Sequence, residues 1–394
     1  MDLRSLTLTS VFVVMVACGG ASRGSRHADK GGASDSDSRN PFENVRFYIN
    51  PDYVQKAESA AAGASPADAA LIRKIEAYPT AIWLDSIAKA GTINRYLDDA
   101  QQQQTKTGQP TLTVFVVYDL PNRDCSAKSS AGELSVAENG EGRYKTEFID
   151  NIASQFQAHP NQPIVAILEP DSLANLATNL GVPRCAASQD AYVNSVAYAI
   201  SKLSLPNVSL YLDAAHAGWL GWDDNRSRIV SVFKRVLTIA GGVHKIRGFA
   251  TNVSNYNTLA GRDGKKLEPS DPCPDEITYV HRLGDTLNRH GIKHKRFIID
   301  TSRNGKGGLR RKWGSWCNVK GAGLGARPGV TDESMVDAYF WVKPPGESDG
   351  VSDPTQPRFD ANCQSGDSAK GAPQAGEWFG AYFLELVKNA QPPL

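Results

Sequence analysis

Short apolar runs rich in β-branched residues punctuate the chain, each ending in polar or turn-forming residues. They are VRFYIN (45–50), TVFVVYDL (113–120), PIVAILEPD (163–171), VSLYLDAA (208–215), KIRGFATN (245–252), RFIIDTSRN (296–304) and DAYFWVK (337–343). Hydrophobicity that runs on without alternating predicts strands buried on both faces, as in a parallel sheet covered by helices. Between the runs, apolar residues recur at helical spacing over 144–158, 190–203 and 276–290. This strand–helix alternation predicts the α/β class and a single parallel β/α barrel spanning 44–394, with seven strands countable instead of the usual eight. From Asn44 onward no low-complexity break, fixed-period repeat or second linker interrupts it.

Polar residues fall at the strand ends. Tyr118, Asp119, Arg123 and Asp124 follow the second run, Glu169 and Asp171 the third, and Asp213 and His216 the fourth. Asn252 and Asn255 follow the fifth, Asp300 and Arg303 the sixth, and Lys343, Glu347 and Asp349 the last. The C-terminal ends of parallel barrel strands converge on one face, where active sites are built. A single polar strand end is ordinary turn chemistry; six of seven ending this way point to a catalytic face.

The N-terminus differs from the rest. Residues 5–17, SLTLTSVFVVMVA, follow Arg4 and are too few to span a bilayer, so 1–17 reads as a signal peptide. Cys18 stands where a bacterial lipoprotein carries its lipid, which would tether the protein to a membrane; the alternative is ordinary cleavage near 17–21 and release. The Gly/Ser/Asp-rich residues 18–43 read as a flexible tether. Both alternatives make the protein extracellular and permit disulfides. Five cysteines remain: Cys125, Cys185, Cys273, Cys317 and Cys363. Two disulfides and one leftover thiol is the natural division, but the spacing does not fix the pairing.

Length changes little: 394 residues allow two or three domains or one large barrel. The charge balance, 43 Lys+Arg against 42 Asp+Glu, argues against a nucleic-acid partner, which demands a basic excess. Candidate chemistry is more telling. Carboxylates share the strand-end loops with Trp83, Trp219, Trp222, Trp313 and Trp316, and rigid indole platforms suit the flat faces of sugars. Paired carboxylates with stacking aromatics fit glycoside hydrolysis. Rival chemistries find no support: there is no H-E-x-x-H, no G-x-S-x-G and no zinc spacing of cysteines. His290 and His294 are four apart, but Gly291 and the flanking Lys293 and Lys295 mark a helix end, so no metal site is expected. GAGLGARPG (321–329) lacks dinucleotide-fingerprint spacing and reads as a loop.

At these residues the chain resembles glycoside hydrolase family six, the cellobiohydrolases and endoglucanases. The matching segments are VVYDLPNRDCSAKSSAGE, LEPDSLANL, YLDAAHAGWLGW, ATNVSNYN, KWGSWCNV, WVKPPGESDG and APQAGEWFGAYF, in family order over about nine-tenths of the chain. The resemblance implies a distorted seven-stranded α/β barrel, hydrolysis of β-1,4-glucan with inversion, and no cofactor. It implies Asp124 as general acid and Asp171 as the neighbour that keeps it protonated. Asp349 matches the carboxylate usually proposed as base, whose identity is disputed in the family. Tyr118 would touch the distorted sugar, Arg123 organise the carboxylates, and Ser130 hold the nucleophilic water. Trp83, Trp219, Trp222 and Trp316 match sugar platforms, and Asp85, Lys343 and Glu347 polar contacts to glucosyl hydroxyls; Asp213, His216 and Asn252 join the substrate-binding set. The family's disulfides map onto Cys125–Cys185 and Cys317–Cys363, leaving Cys273 as a surface-loop thiol.

Two segments, 125–145 and 344–374, have the long form that roofs the cleft into a tunnel in the family's cellobiohydrolases. The expectation is therefore a monomeric cellobiohydrolase acting on cellulose and cello-oligosaccharides, releasing cellobiose from non-reducing ends. The alternatives are an endo-β-1,4-glucanase and a non-catalytic polysaccharide-binding lipoprotein.

Overall fold

Strand ends are set by local chemistry before any packing. β1 (Arg46–Phe47) is short because Asn50 caps the helix Pro51–Ala62: its side chain accepts the Asp52 N–H, and Pro51 occupies the first turn. The computed structural model describes residues 39–261 and 270–394; the segment 1–17, Cys18 and the tether to residue 38 lie outside the described residues.

Beyond β1 the strands are β2 (Ile82–Leu84), β3 (Thr111–Val117), β4 (Ile164–Leu168), β5 (Val208–Asp213), β6 (Gly248–Thr251), β7 (Arg296–Asp300), β8 (Gly329–Val330) and β9 (Val336–Phe340). They form one sheet in the order β1-β3-β4-β5-β6-β7-β9-β8, with β2 also on β3. All pairs are parallel except β8 with β9. β1 and β2 share one edge of β3 in succession: Arg46 and Phe47 pair with Thr111 and Leu112, and Ile82–Leu84 with Phe115–Val117. The free edge of β2 meets the chain just past β9 through a single backbone bond, Ala81 N–H to the Trp341 carbonyl at 3.2 Å. The barrel is thus curled but not closed by a ladder, as its distorted class implies.

The seven-strand count needs correction. Ile82–Leu84 is a three-residue strand too short to show a run, and Gly329–Val330 is a two-residue antiparallel addition. The start of the body also moves. Phe42, assigned to the tether, is 2% exposed and packs against Phe47 and Phe340, while Asn40 Nδ2 donates to the Asp337 carbonyl.

Every residue of β3 and β4 is buried, which explains the unbroken apolar runs. Val114, Val116, Val165, Ile167, Tyr211, Ala250, Ile298 and Phe340 fill the barrel interior. Phe115, Val117, Ala166 and Leu168 face outward under helices that include Asp150–Ala158, Gln189–Leu203, Asp223–Ile239 and Glu276–Arg289. β6 lies so close to β7 that a Cβ on Gly248 would sit 1.8 Å from the Arg296 carbonyl oxygen, so only glycine fits there. A smaller core joins the helices Pro51–Ala62, Pro66–Arg73 and Gly380–Lys388 around Trp341.

Disulfides Cys125–Cys185 and Cys317–Cys363 are formed. Cys273 is free but not on the surface. It is 1% exposed, donates to the Gly221 carbonyl at 3.3 Å and receives Arg226 Nη1 at 3.3 Å. The segment after Ser270 packs inward against 217–239, and burial pushes the thiol up to about 12.

Candidate active site

The strand ends deliver their side chains through an unusual backbone. Asn122, Asp124, Glu169, Asp171, Ala215, Asn252 and Ser254, all at C-terminal strand ends, have φ between 51° and 63°. Left-handed conformations are uncommon for such residues and cluster where a fold holds a functional geometry. Asp171 is held in this state from below: its N–H donates at 3.0 Å to Oδ2 of Asp213, which also accepts Ala215 N–H at 3.0 Å.

These ends enclose two cavities. The smaller, about 170 Å³, is lined by Trp83, Tyr118, Asp124, Ser130, Asp171, His216, Trp219, Trp316, Lys343 and Asp349, together with Asn175, Ser254 and Asn255. The larger, about 590 Å³, shares Trp83, Tyr118, Ser130 and Lys343 with it and adds Asp85, Arg123, Glu347, Lys56, Tyr53, Arg358 and Trp378. The shared residues make the two one continuous cleft. Trp83 stands at the junction, its Nε1 donating to the Val342 carbonyl at 2.8 Å, its ring edge-on to Tyr118 and beneath the Lys343 ammonium.

The three aspartates differ in environment. Asp124 Oδ2 accepts the Ser130 N–H at 2.9 Å. Burial raises its pKa above the usual carboxylate range against that hydrogen bond, with the charge of Asp360 adding to the rise. Asp171 is raised further, first by burial and then by the charges of Asp213, Asp124 and Asp349; burial raises Asp213 as well. Asp349 is the paired one. Arg303 Nη1 donates to Oδ1 at 2.8 Å and to Oδ2 at 2.9 Å, while Tyr256 Oη at 2.7 Å and Asn318 N–H at 2.8 Å also reach Oδ2. Asp349 is thus ion-paired to a buried guanidinium and receives three donors on Oδ2, with Oδ1 the less occupied oxygen.

Other sequence-assigned residues take various places. Arg123 supports backbone more than carboxylates: it donates to the carbonyls of Ser130, Asp85 and Tyr118 and reaches Asp119 Oδ1 at 3.3 Å, not Asp124. Asp85 is ion-paired with Lys89, and Glu347 with Lys56 at 3.1 Å. Lys343 is buried, which lowers its pKa, and its Nζ donates to the Ser348 carbonyl. Trp219 Nε1 is held by Thr178 Oγ1 at 2.7 Å.

Three residues of the substrate-binding set lie off the cleft surface. Asn252 is buried beneath the floor, its amide donating to the Asn257 and Asp300 carbonyls, and Asn255 faces the cavity in its stead. Asp213 is likewise a buried prop under Asp171. Trp222 stands edge-on to Trp313 and lines neither cavity.

Tyr256, Asn318 and Trp378 were missed. All three lie in family-like segments, ATNVSNYN, KWGSWCNV and APQAGEWFGAYF; the first two act through Asp349, a partnership that only the fold creates, and nothing local marks Trp378 as facing the cleft.

The two long segments meet each other. Ser129 Oγ lies 3.5 Å from Cys363 Sγ, and a Cβ on Gly350 would come within 3 Å of both atoms. Segment 125–145 thus touches segment 344–374 beside Asp349.

The family described as "Glycosyl hydrolases family 6" matches residues 42–390. Exoglucanase 3 of Agaricus bisporus is 43% identical over 361 residues, covering 91% of this chain and 81% of the relative. Exoglucanase 2 of Hypocrea jecorina is 42% identical over 361 residues, covering 90% and 76%. Among solved structures, the cellobiohydrolase II of Humicola insolens in complex with glucose and cellotetraose superposes with a TM-score of 0.87 at 37% identity, covering 90% of this chain and all of that one. A CcCel6A catalytic domain bound to p-nitrophenyl beta-D-cellotrioside gives 0.88 at 44%, covering 90% and 99%.

Proposed function

The chain belongs to glycosyl hydrolases family 6, and from that premise we propose that it is a cellobiohydrolase, cleaving β-1,4-glucosidic bonds of cellulose with inversion and releasing cellobiose from non-reducing ends. The observation that carries the exo reading is the contact between the two long segments: Ser129 Oγ lies 3.5 Å from Cys363 Sγ, which fits long loops closing together so that a chain enters by threading its end. Relatives named exoglucanase and cellobiohydrolase support the same reading.

In this reading Asp124 is the general acid. Burial keeps its proton into a pH range where an ordinary aspartate has lost it, and the Ser130 N–H fixes its orientation. Asp171, held by Asp213, adds a neighbouring carboxyl that disfavours ionisation of Asp124 and, once charged, favours positive charge on the sugar ring. Asp349 acts as an ion-paired carboxylate. Its donors leave Oδ1 as the oxygen able to accept a proton, directly or through a water, from the attacking nucleophile. The reaction balances as one water consumed: the leaving 4-oxygen takes the Asp124 proton, and the water proton passes toward Asp349. Trp83, Trp219 and Trp316 offer platforms along the path.

Cellohexaose digestion followed by anomer analysis tests the whole reading. Cellobiose carrying newly formed α-anomer is expected; mixed oligosaccharides with rapid viscosity loss on a soluble glucan would make it an endoglucanase. Undetectable turnover with retained binding would leave a polysaccharide-binding protein. Export by the 1–17 signal, a membrane tether through Cys18 and a monomeric state belong to the same proposal. Radiolabelled palmitate incorporation, lost on Cys18→Ala, checks the tether.

A further inference from the structure

Behind the catalytic cavity lies a short chain of side chains that none of the steps above uses. His216 lines the cavity, its ring centroid 6.0 Å from that of Trp219. Its Nδ1 lies 2.8 Å from Nδ2 of Asn257, and Oδ1 of the same amide receives Nη2 of Arg310. A guanidinium only donates, so Asn257 must turn its oxygen to Arg310 and its N–H to His216. A ring nitrogen that receives an N–H carries no proton. The single proton of the neutral imidazole is therefore on Nε2, the nitrogen with no protein partner among the described residues.

We propose that Asn257 and Arg310 are positioning residues that lock His216 as a neutral Nε2–H donor aimed at a glucan hydroxyl or ring oxygen in the cleft. The proposal rests on the reading of the cleft as a glucan site. Its logic is chemical economy. A histidine free to change tautomer would present a donor to part of the enzyme population and a lone pair to the rest. Protonation would place a cation among sugars that carry no charge. Arg310 opposes both, since it orients the amide and disfavours a second positive charge nearby. Burial and that charge push His216 down to about 3.

The other charged groups around the ring leave this arrangement intact. Glu276 Oε1 accepts the Ala217 N–H and its carboxyl also takes a hydrogen bond from the Asn257 amide, which favours the same amide orientation as Arg310 does, while Asp171 and Asp349 lie across the cavity without a hydrogen bond to the ring. Arg310 is half-buried, and desolvation lowers its pKa only to about 10, so it remains a cation at neutral pH.

The test reads His216 directly in the unliganded full-length protein, by the 15N shifts and two-bond couplings of its imidazole between pH 4 and 8. The parent is expected to show the Nε2–H tautomer throughout. Asn257→Asp replaces the donor by an acceptor. It should move the proton to Nδ1, bring His216 titration into the pH 5–8 range, and lower kcat/KM on cellohexaose about tenfold at pH 7, the size of one hydrogen bond. Arg310→Met, which removes one of the two groups that orient the amide, should raise the share of the Nδ1–H tautomer, and Arg310→Lys should restore the parental one. His216 remaining Nε2–H and uncharged to pH 4 in Asn257→Asp would overturn the proposal; should Asn257→Asp fail to fold, Asn257→Leu, which removes the donor without adding a charge, decides it by the same readout. A tautomer switch in a protein with no activity on glucans would instead sink the glucan reading and leave the relay standing.

Discussion

Removing the Cys317–Cys363 bridge, as the double Cys→Ser variant, tests stability and the exo reading together. The bridge closes 46 residues. In the chain-entropy account the loss is about 2.1 + 1.5R ln 46 cal/mol/K, or about 4 kcal/mol at 25 °C. With roughly 350 ordered residues at ~2.1 cal/mol/K each, that corresponds to a fall in Tm of about 5 °C. The functional effect follows from what the bridge holds. Cys317 sits between Trp316, a cavity residue, and Asn318, whose N–H donates to Asp349 at 2.8 Å. Cys363 lies in the second long segment, where Ser129 of the first meets it. Cutting the bridge unpins the roof from the floor, so internal sites on a long glucan gain access. Urea unfolding gives the first quantity; the ratio of soluble cellobiose to new reducing ends left in insoluble cellulose gives the second. A stability loss of the expected size with unchanged products would show that the bridge does not hold the roof shut. A loss under about 1 kcal/mol would refute the entropic reasoning.

Three further outcomes follow from the site. Asp124→Asn should lower kcat on cellotetraose by about 10²–10⁴-fold while leaving the dissociation constant nearly unchanged; calorimetric binding beside steady-state kinetics checks this, and substantial residual turnover refutes its role as acid. Arg303→Met leaves the buried Asp349 without its ion-pair partner and should cost about 3–5 kcal/mol in urea unfolding at pH 7; a loss under about 1 kcal/mol would show that the pair does not hold the site together. Glu276 is buried and pushed up to about 8, so the folded state holds a proton that the unfolded chain has lost above its ordinary pKa. Its contribution to stability is full below about pH 4 and fades as pH rises through 8; Glu276→Gln should flatten the fall of Tm between pH 6 and 8, and an unchanged slope would exclude it as the cause.

Much of the site was legible because β/α barrels place chemistry by a rule of position. Asp124, Asp171 and Asp349 follow apolar runs, and strand ends of a parallel sheet converge wherever the helices lie. Short elements escaped. Ile82–Leu84 has only three residues, too few for a pattern, and its place in the sheet depends on pairing with Phe115–Val117 far along the chain. Asn252 and Asn255 are three residues apart in one loop, and nothing local says which turns down to the Asp300 carbonyl and which faces the cleft. Cys273 looked like a surface thiol because its neighbours are polar; Arg226 and Gly221, from another segment, bury it.

The sequence by itself determined the class of fold, the kind of chemistry and the three carboxylates, since these depend on residue type and on periodicities that the backbone imposes locally. Tertiary structure alone decided what each carboxylate is. Asp349 is ion-paired because Arg303, Tyr256 and Asn318 arrive from three separate segments, whereas the same folding takes Asp124 and Asp171 out of water with no salt-bridge partner among the described residues, and burial raises both above the usual carboxylate range. Charge state is a property of surroundings assembled from distant parts of the chain.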